Sequence, residues 1–205
     1  MTANSRKGMN HMRKDEFIEI YQSQITCRGA DKLLDWLTKS DFFTAPASTR
    51  FHLAEEGGLC VHSVNVYRRL KTLMEREYPE ECPYSDEAIA VCGLLHDVCK
   101  ANYYKQEMRN VKVNGSWEQK PFYTVDEQIP YGHGEKSVFI IERFMRLKLD
   151  EAIAIRYHMG GFAAVPGDYS MSKAFEQYPV AVLLHTADLM ATYLDEQETR
   201  GQSFA

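Results

Sequence analysis

Gly93-Leu94-Leu95-His96-Asp97-Val98-Cys99-Lys100 decides how this chain is read. An apolar stretch of helical length delivers a histidine and an aspartate side by side. A helix core does not accept an ionised aspartate unless the charge is paired, hydrogen-bonded or metal-bound. Adjacent helical residues project about 100° apart, yet both side chains can converge on one ion at the helix margin. An imidazole nitrogen and a carboxylate oxygen together suit zinc, iron or manganese. Upstream, Ser85 is placed to cap this helix, and Asp86 and Glu87 in its first turn complement the dipole. The spacing predicts one helix from there to Lys100.

Helical periodicity extends on both sides. Phe17, Ile20, Tyr21 and Ile25, then Leu33, Leu34 and Leu37, predict two short amphipathic helices separated at Gly29. Residues 1–11 read as a flexible tail, in which His11 has no role. The Pro46 region reads as a loop, and a helix is expected over about Leu59–Glu77. Residues 103–129 change character: β-formers flank Asn114-Gly115, the dipeptide of a tight hairpin turn. Trp117, Phe122 and Tyr123 are expected to pack within that hairpin, which could serve as a lid beside the site. Helices return at about Lys136–Leu147 and Asp150–His158. Gly160-Gly161 and Pro166-Gly167 mark a loop, and a last helix is expected over about Tyr178–Glu198, with Pro179 in its first turn. The expected layout is a tail (1–11), N-terminal helices packing on the domain (12–48), and one mainly helical domain (49–198).

Four more residues share the peculiarity of His96-Asp97. His62, His133 and His158 each sit by a helix end or a glycine-flanked segment, and Asp188 stands among apolar residues in His185-Thr186-Ala187-Asp188. A lone histidine on a helix is most often structural, and Asp188 alone could cap a helix or pair with an arginine. The ordered set His62, His96-Asp97, His133, His158, Asp188 is much harder to obtain by accident. Three further residues are candidate phosphate contacts: Lys100, one turn beyond His96-Asp97, and Arg50 and His52, just upstream of Gly57-Gly58. A solvated helix-end lysine is the alternative for Lys100. His185 reads as either a support for a ligand or simple packing, and Ser137 as a cap for the helix after His133.

The order H…HD…H…H…D, in the contexts Gly57-Gly58-Leu59-Cys60-Val61-His62, Gly93-Leu94-Leu95-His96-Asp97, Gly132-His133-Gly134-Glu135, Tyr157-His158-Met159-Gly160 and His185-Thr186-Ala187-Asp188, resembles the HD-domain metal-dependent phosphohydrolase superfamily. It is similar to small bacterial HD hydrolases and to the HD domain of certain 3′–5′ exoribonucleases, whose preceding nucleic-acid-binding domain has no counterpart in these residues. The resemblance covers about residues 49–195. It implies an all-α helical bundle, with the hairpin around 103–129 as an insertion. It also implies a divalent cofactor of one or two ions (Mn, Fe, Mg, Co, Ni or Zn). His62, His96, Asp97 and Asp188 would hold a first ion; His133 and His158 would hold a second, with Asp97 shared. The implied activity is hydrolysis of a phosphomonoester or phosphodiester, of a nucleotide or related small molecule, by a metal-activated hydroxide. Asp97 and Lys100 would be catalytic; Arg50, His52 and Lys100 would bind substrate. An HD-fold di-iron oxygenase and a catalytically silent nucleotide-binding module remain alternatives.

Composition limits the partners. The 205 residues carry 24 Lys+Arg against 29 Asp+Glu, a net charge of −5, which disfavours a broad grip on nucleic-acid backbones and leaves short nucleic acids a lesser candidate. With 44% hydrophobic and 26% charged residues the chain reads as globular. No apolar run reaches the roughly 18–20 residues of a membrane span, and no secretory leader pattern opens the sequence. The expectation is a cytoplasmic protein without membrane contact, for which a homo-oligomer is open. Five cysteines without a C-x-x-C pair read as free thiols, not a zinc ribbon.

Overall fold

The side chain of Ser85 accepts a hydrogen bond from Ala88 N (3.2 Å), and from this cap rises the helix that carries the HD dipeptide. The structure, a computed structural model, describes residues 3–163 and 167–196, with the side chains of 3–12 and 163 left aside. Among the described residues the order is α1 (Ala3–Gln24), α2 (Ala30–Lys39), α3 (Gly58–Glu77), α4 (Asp86–Leu95), a 3₁₀ turn (Val98–Lys100), β1 (Tyr104–Val113), β2 (Ser116–Val125), α5 (His133–Glu142), α6 (Leu149–Tyr157), a 3₁₀ turn (Gly160–Ala163), α7 (Ser170–Gln177), α8 (Pro179–Met190) and a π-helical turn (Ala191–Asp195). The fold is mainly helical with one two-stranded antiparallel sheet.

The core lies where α3 packs on α4 and α8, and α6 on α8 and α5. Leu59, Leu70, Leu94, Leu95, Ile141, Ile155 and Leu184 are fully buried there, and Phe17, Tyr21, Leu33 and Leu37 of α1 and α2 join the same cluster. Two glycines set the helix spacing near the site. A Cβ on Gly93 would lie 2.5 Å from Tyr67 Cα, so only glycine lets α4 approach α3 this closely. A Cβ on Gly134 would lie 2.0 Å from Arg156 O, which sets α5 against α6 in the same way.

Several expectations need correction. The helix of the HD dipeptide does not continue to Lys100: α4 ends at Leu95, and Asp97 (φ −106°, ψ 18°) leads into the 3₁₀ turn. His96 Nδ1 donates to Gly93 O at 2.9 Å, a local bond that competes with continuation of the helix. The backbone of residues 3–11, read as a tail, is helical; Met, Lys and Arg there are good helix formers and no proline interrupts them. α7 fills a stretch read as loop. The last helix gives way at Ala191 to the π turn. Residues 1–2, Pro166 and the expected end of the helix at Glu198 lie outside the described residues, as does the side chain of His11.

The hairpin forms where the sequence places it. Asn114 (φ 50°) and Gly115 (φ 87°) both take positive φ, and Val113 pairs with Ser116 across a two-residue turn. Of its aromatics, Tyr123 packs within the hairpin with its ring 6.5 Å from that of Tyr104, and the exposed Phe122 ring lies under Arg109, but Trp117 does not pack as expected and is 72% exposed. No helix among the described residues is long and apolar enough to cross a membrane, and all five cysteines are free.

Candidate metal centre

The six expected ligands come from five places on the bundle, and they converge near Asp97. His62 projects from the first turns of α3, His96 and Asp97 follow α4, His133 opens α5, His158 closes α6, and Asp188 sits late in α8. His133 Nε2 lies 2.6 Å from Asp97 Oδ1, and His158 Nε2 lies 3.4 Å from the same oxygen. The Nε2 atoms of His62 and His96 each lie 3.6 Å from Asp97 Oδ2. Asp188 Oδ1 is 3.2 Å from His62 Nε2. The donor atoms of His62, His96 and Asp188 lie within 4.8 Å of one another, as do those of His96, Asp97 and His158, and those of Asp97, Cys99 and His133.

The orientation of the rings is fixed from behind. His96 Nδ1 donates to Gly93 O, and His158 Nδ1 donates to Ile155 O at 2.6 Å. His62 Nδ1 donates to the Glu196 carboxylate at 3.1 and 3.2 Å. With Nδ1 committed as the donor, each Nε2 of a neutral ring turns a lone pair toward the centre, as ligating histidines do. Two observations show that this donor set fits a cation. His158 Nε2 is fully buried and makes no hydrogen bond. His62 Nε2 and His96 Nε2 face each other at 3.3 Å, where two lone pairs repel unless a proton or a cation lies between them. That spacing suits two imidazoles on one ion at about 2.0–2.1 Å from each.

Without a cation, protons balance the site. Burial opposes charging of His62, but Glu196 and Asp188 outweigh it and push its pKa up to about 10. His96 goes the other way, down to about 3, because burial dominates and the neighbouring His158 and His62 add to it while Asp97 opposes. Asp97 is held well below the usual carboxylate range: burial opposes its charge, and Lys100, His96 and His133 more than offset that. Asp188 is also lowered, by His62 against the cost of burial.

The centre opens into a cavity of about 360 Å³ walled by His52, His62, Asp97, Lys100, His185 and Asp188 on its polar side. Phe51, Met159, Phe162, Leu189 and Tyr193 contribute apolar wall, with Thr192 beside them. Lys100 is in this wall, not solvated at a helix end: its Nζ lies 2.6 Å from Asp97 Oδ2. Burial disfavours its charge, but Asp97 raises its pKa overall. His52 also lines the cavity, its Nε2 making no hydrogen bond and standing 3.9 Å from Glu196 Oε2. Arg50 does not line it; the exposed guanidinium lies 5.1 Å from the centroid of the Phe51 ring. No hairpin residue lines the cavity.

His185 supports a ligand through the backbone, donating from Nδ1 to His158 O at 2.6 Å. Ser137 does not cap α5, which Gly132 precedes; its Oγ accepts from Cys99 N (3.2 Å) and ties the turn after Asp97 to α5. Sequence reading missed Glu196, 3% exposed, which accepts from both His62 and Asn65. The one signal for it was an acidic residue near the end of an otherwise apolar last helix, and that signal does not distinguish Glu196 from Asp195. Cys99 was read only as a free thiol, yet its Sγ lies 3.5 Å from His133 Nδ1; burial, aided by Asp97, pushes the thiol up to about 12, so it faces the centre in neutral form.

No curated protein and no solved structure matches the chain. The family model described as HD domain matches residues 60–193, which span His62 through Asp188.

Proposed function

Since the chain belongs to the HD-domain family, we propose that it is a metal-dependent phosphohydrolase acting on a phosphomonoester or phosphodiester of a nucleotide or related small molecule. The observation that carries this reading is the convergence of His62, His96, Asp97, His133, His158 and Asp188 in overlapping groups, of which His62, Asp97 and Asp188 line a cavity large enough for a small ligand. His62, His96, Asp97 and Asp188 would hold a first ion; His133 and His158, sharing Asp97, would hold a second. A bound divalent cation polarises phosphoryl oxygens and lowers the pKa of water toward about 7.

The chain's own groups supply the rest. Asp97 lies within 3.6 Å of four imidazoles and of Lys100, so its two oxygens fix the relative positions of the four histidines. Lys100 brings a cation to the cavity wall, where charge accumulates on the oxygens of a phosphoryl group under attack. His52 offers a ring nitrogen with no competing hydrogen bond to a phosphate oxygen. The apolar wall of Phe51, Met159, Phe162 and Leu189 excludes water from the ester and receives its leaving group. Arg50 stays outside this assignment unless the loop moves with substrate.

Phosphate release from nucleotides, cyclic dinucleotides and short oligonucleotides, measured with Mn²⁺, Mg²⁺, Fe²⁺, Co²⁺ or Ni²⁺ added, tests the reading. Asp97→Ala is expected to lower turnover by about 10³-fold or more and to reduce metal content. An Asp97→Ala protein as active as the parent, or oxygen consumption in place of phosphate release, would overturn it.

A further inference from the structure

The hairpin has two edges, and they are unlike. Asp126 N donates to Tyr103 O at 2.8 Å just below the strands, in the same register that pairs Lys105 with Thr124 and Glu107 with Phe122. Bonded and non-bonded pairs alternate in an antiparallel ladder. Odd-numbered residues of β1 therefore bond to β2, and even-numbered ones, from Tyr104 to Lys112, turn N–H and C=O outward. On β2 the outward position opposite Met108 is Pro121, which has no N–H to give. A proline there blunts an edge against further pairing. β1 carries no such block, and among the described residues neither strand pairs with a third.

The faces also differ. Side chains alternate across a strand, so one face holds Met108, Pro121, Tyr123 and Trp117 with Lys112 as its single charge. The opposite face holds Lys105, Glu107, Arg109, Glu118 and Lys120, together with Val111, Val113 and Phe122. A lone two-stranded hairpin is marginal in water, whereas three or more strands with an apolar face are stable. The base of the hairpin meets the body through the Tyr104 hydroxyl, which donates to Ala47 O at 3.4 Å.

We propose that the chain forms a two-fold dimer in which β1 pairs antiparallel with β1 of a second copy, joining two hairpins into a four-stranded sheet. The residues of β1 select the register. With Met108 on the axis, opposite the partner's Met108, the whole outward edge is used: Gln106 meets the partner's Asn110, and Tyr104 meets the partner's Lys112. On the charged face Glu107 then stands opposite the partner's Arg109, and symmetry repeats the pair. Cross-strand opposite charges stabilise such a pairing and like charges oppose it. Within one chain Glu107 lies 3.4 Å from Lys105 Nζ and 3.8 Å from Arg109 Nη2, and the Arg109 guanidinium lies 5.5 Å from the centroid of the Phe122 ring; in the dimer Glu107 would meet the partner's Arg109 instead. Moving the axis to Gln106 or Asn110 shortens the ladder, moving it to Glu107 or Arg109 sets two like charges opposite each other, and moving it by half a residue sets outward edges against inward ones.

Sedimentation equilibrium across the micromolar range tests the dimer. The parent is expected at twice the 23.6 kDa chain mass. Glu107→Arg alone and Arg109→Glu alone each set like charges against each other twice and should weaken association by about tenfold or more. The double variant exchanges the signs and should restore it. Asn110→Pro removes an outward N–H without touching a bond to β2 and should weaken association with the circular dichroism unchanged. A monomeric parent, single variants that dimerise like the parent, or a double variant that fails to recover would each overturn the proposal.

Discussion

The helices bury polar side chains, and the hairpin exposes apolar ones. His62, His96, Asp97 and His158 are at most 2% exposed, whereas Met108 is 58% and Trp117 is 72% exposed. Both inversions oppose the usual partition, and each calls for a partner that the chain itself does not supply. In the helices the proposed partner is a cation, which the oriented ring nitrogens, one of them without a hydrogen bond, could take up. In the hairpin the proposed partner is the strand of a second copy. Function therefore sits where the fold departs from burying carbon and exposing charge, and the two departures are separable by experiment.

The largest expected separation lies in stability. Leu95 is fully buried next to His96, and Leu95→Ala should cost about 2–5 kcal/mol in urea unfolding through lost contacts and the cavity left behind. A loss under about 1 kcal/mol would mean that the helices hold their polar centre without a tightly packed floor, and the comparison would fail on its helical side.

Glu196 sharpens the comparison from inside the centre. Glu196→Gln keeps the shape but removes the charge behind His62 Nδ1. Metal affinity, measured by competition with a chelator, should fall by about 10–100-fold. Unchanged affinity would show that the His62 ring is oriented by packing alone.

The ligands were legible because each breaks a local rule: an ionisable group within an apolar helix, or a histidine at a glycine-flanked helix end. Asn114-Gly115 was legible because few dipeptides tolerate positive φ at both positions. What stayed hidden depended on contacts between distant segments. Glu196 becomes special only because the π turn after α8 swings it back onto His62 and Asn65. The break of α4 before His96 follows from a side chain bonding its own preceding turn. α7, with Ala174 its only buried residue, has a short pattern too weak to separate from loop. Trp117 has strand periodicity and a suitable cross-strand neighbour, but nothing in the sequence says whether a helix lies beneath the sheet.

The joint between the two regions gives a smaller effect with a pH signature. Lys136 of α5 is buried, and its Nζ donates to both carboxylate oxygens of Glu127, just beyond β2, at 2.6 and 2.8 Å. Burial is the largest single influence and opposes the Glu127 charge, but the Lys136 bonds and the N–H of Ile129 together outweigh it and lower the pKa. A lowered carboxylate adds stability that is complete above its unfolded value, about 4.3, and is lost as pH falls through the folded one. Glu127→Gln should thus cost about 1 kcal/mol at pH 7, part of the charge-assisted bond being screened by solvent. The difference from the parent should close as pH drops below about 4. A cost that persists in acid would place the contribution in packing, not charge.

The smallest effect is the most discriminating for the hairpin. Trp117 would ordinarily be among the costliest residues to truncate, since a buried aromatic is worth about 3–5 kcal/mol against alanine. At 72% exposure it has little to lose within its own chain, and Trp117→Ala should shift urea unfolding by no more than about 0.5 kcal/mol. The ring lies across from Lys112, the single charge of its face, and at the far end from the contact of Tyr104 with Ala47. A loss several times larger would mean that the hairpin folds down onto the helices in solution. The cavity over Asp97 would then gain a strand wall, and the contrast between the two regions would dissolve into a single site.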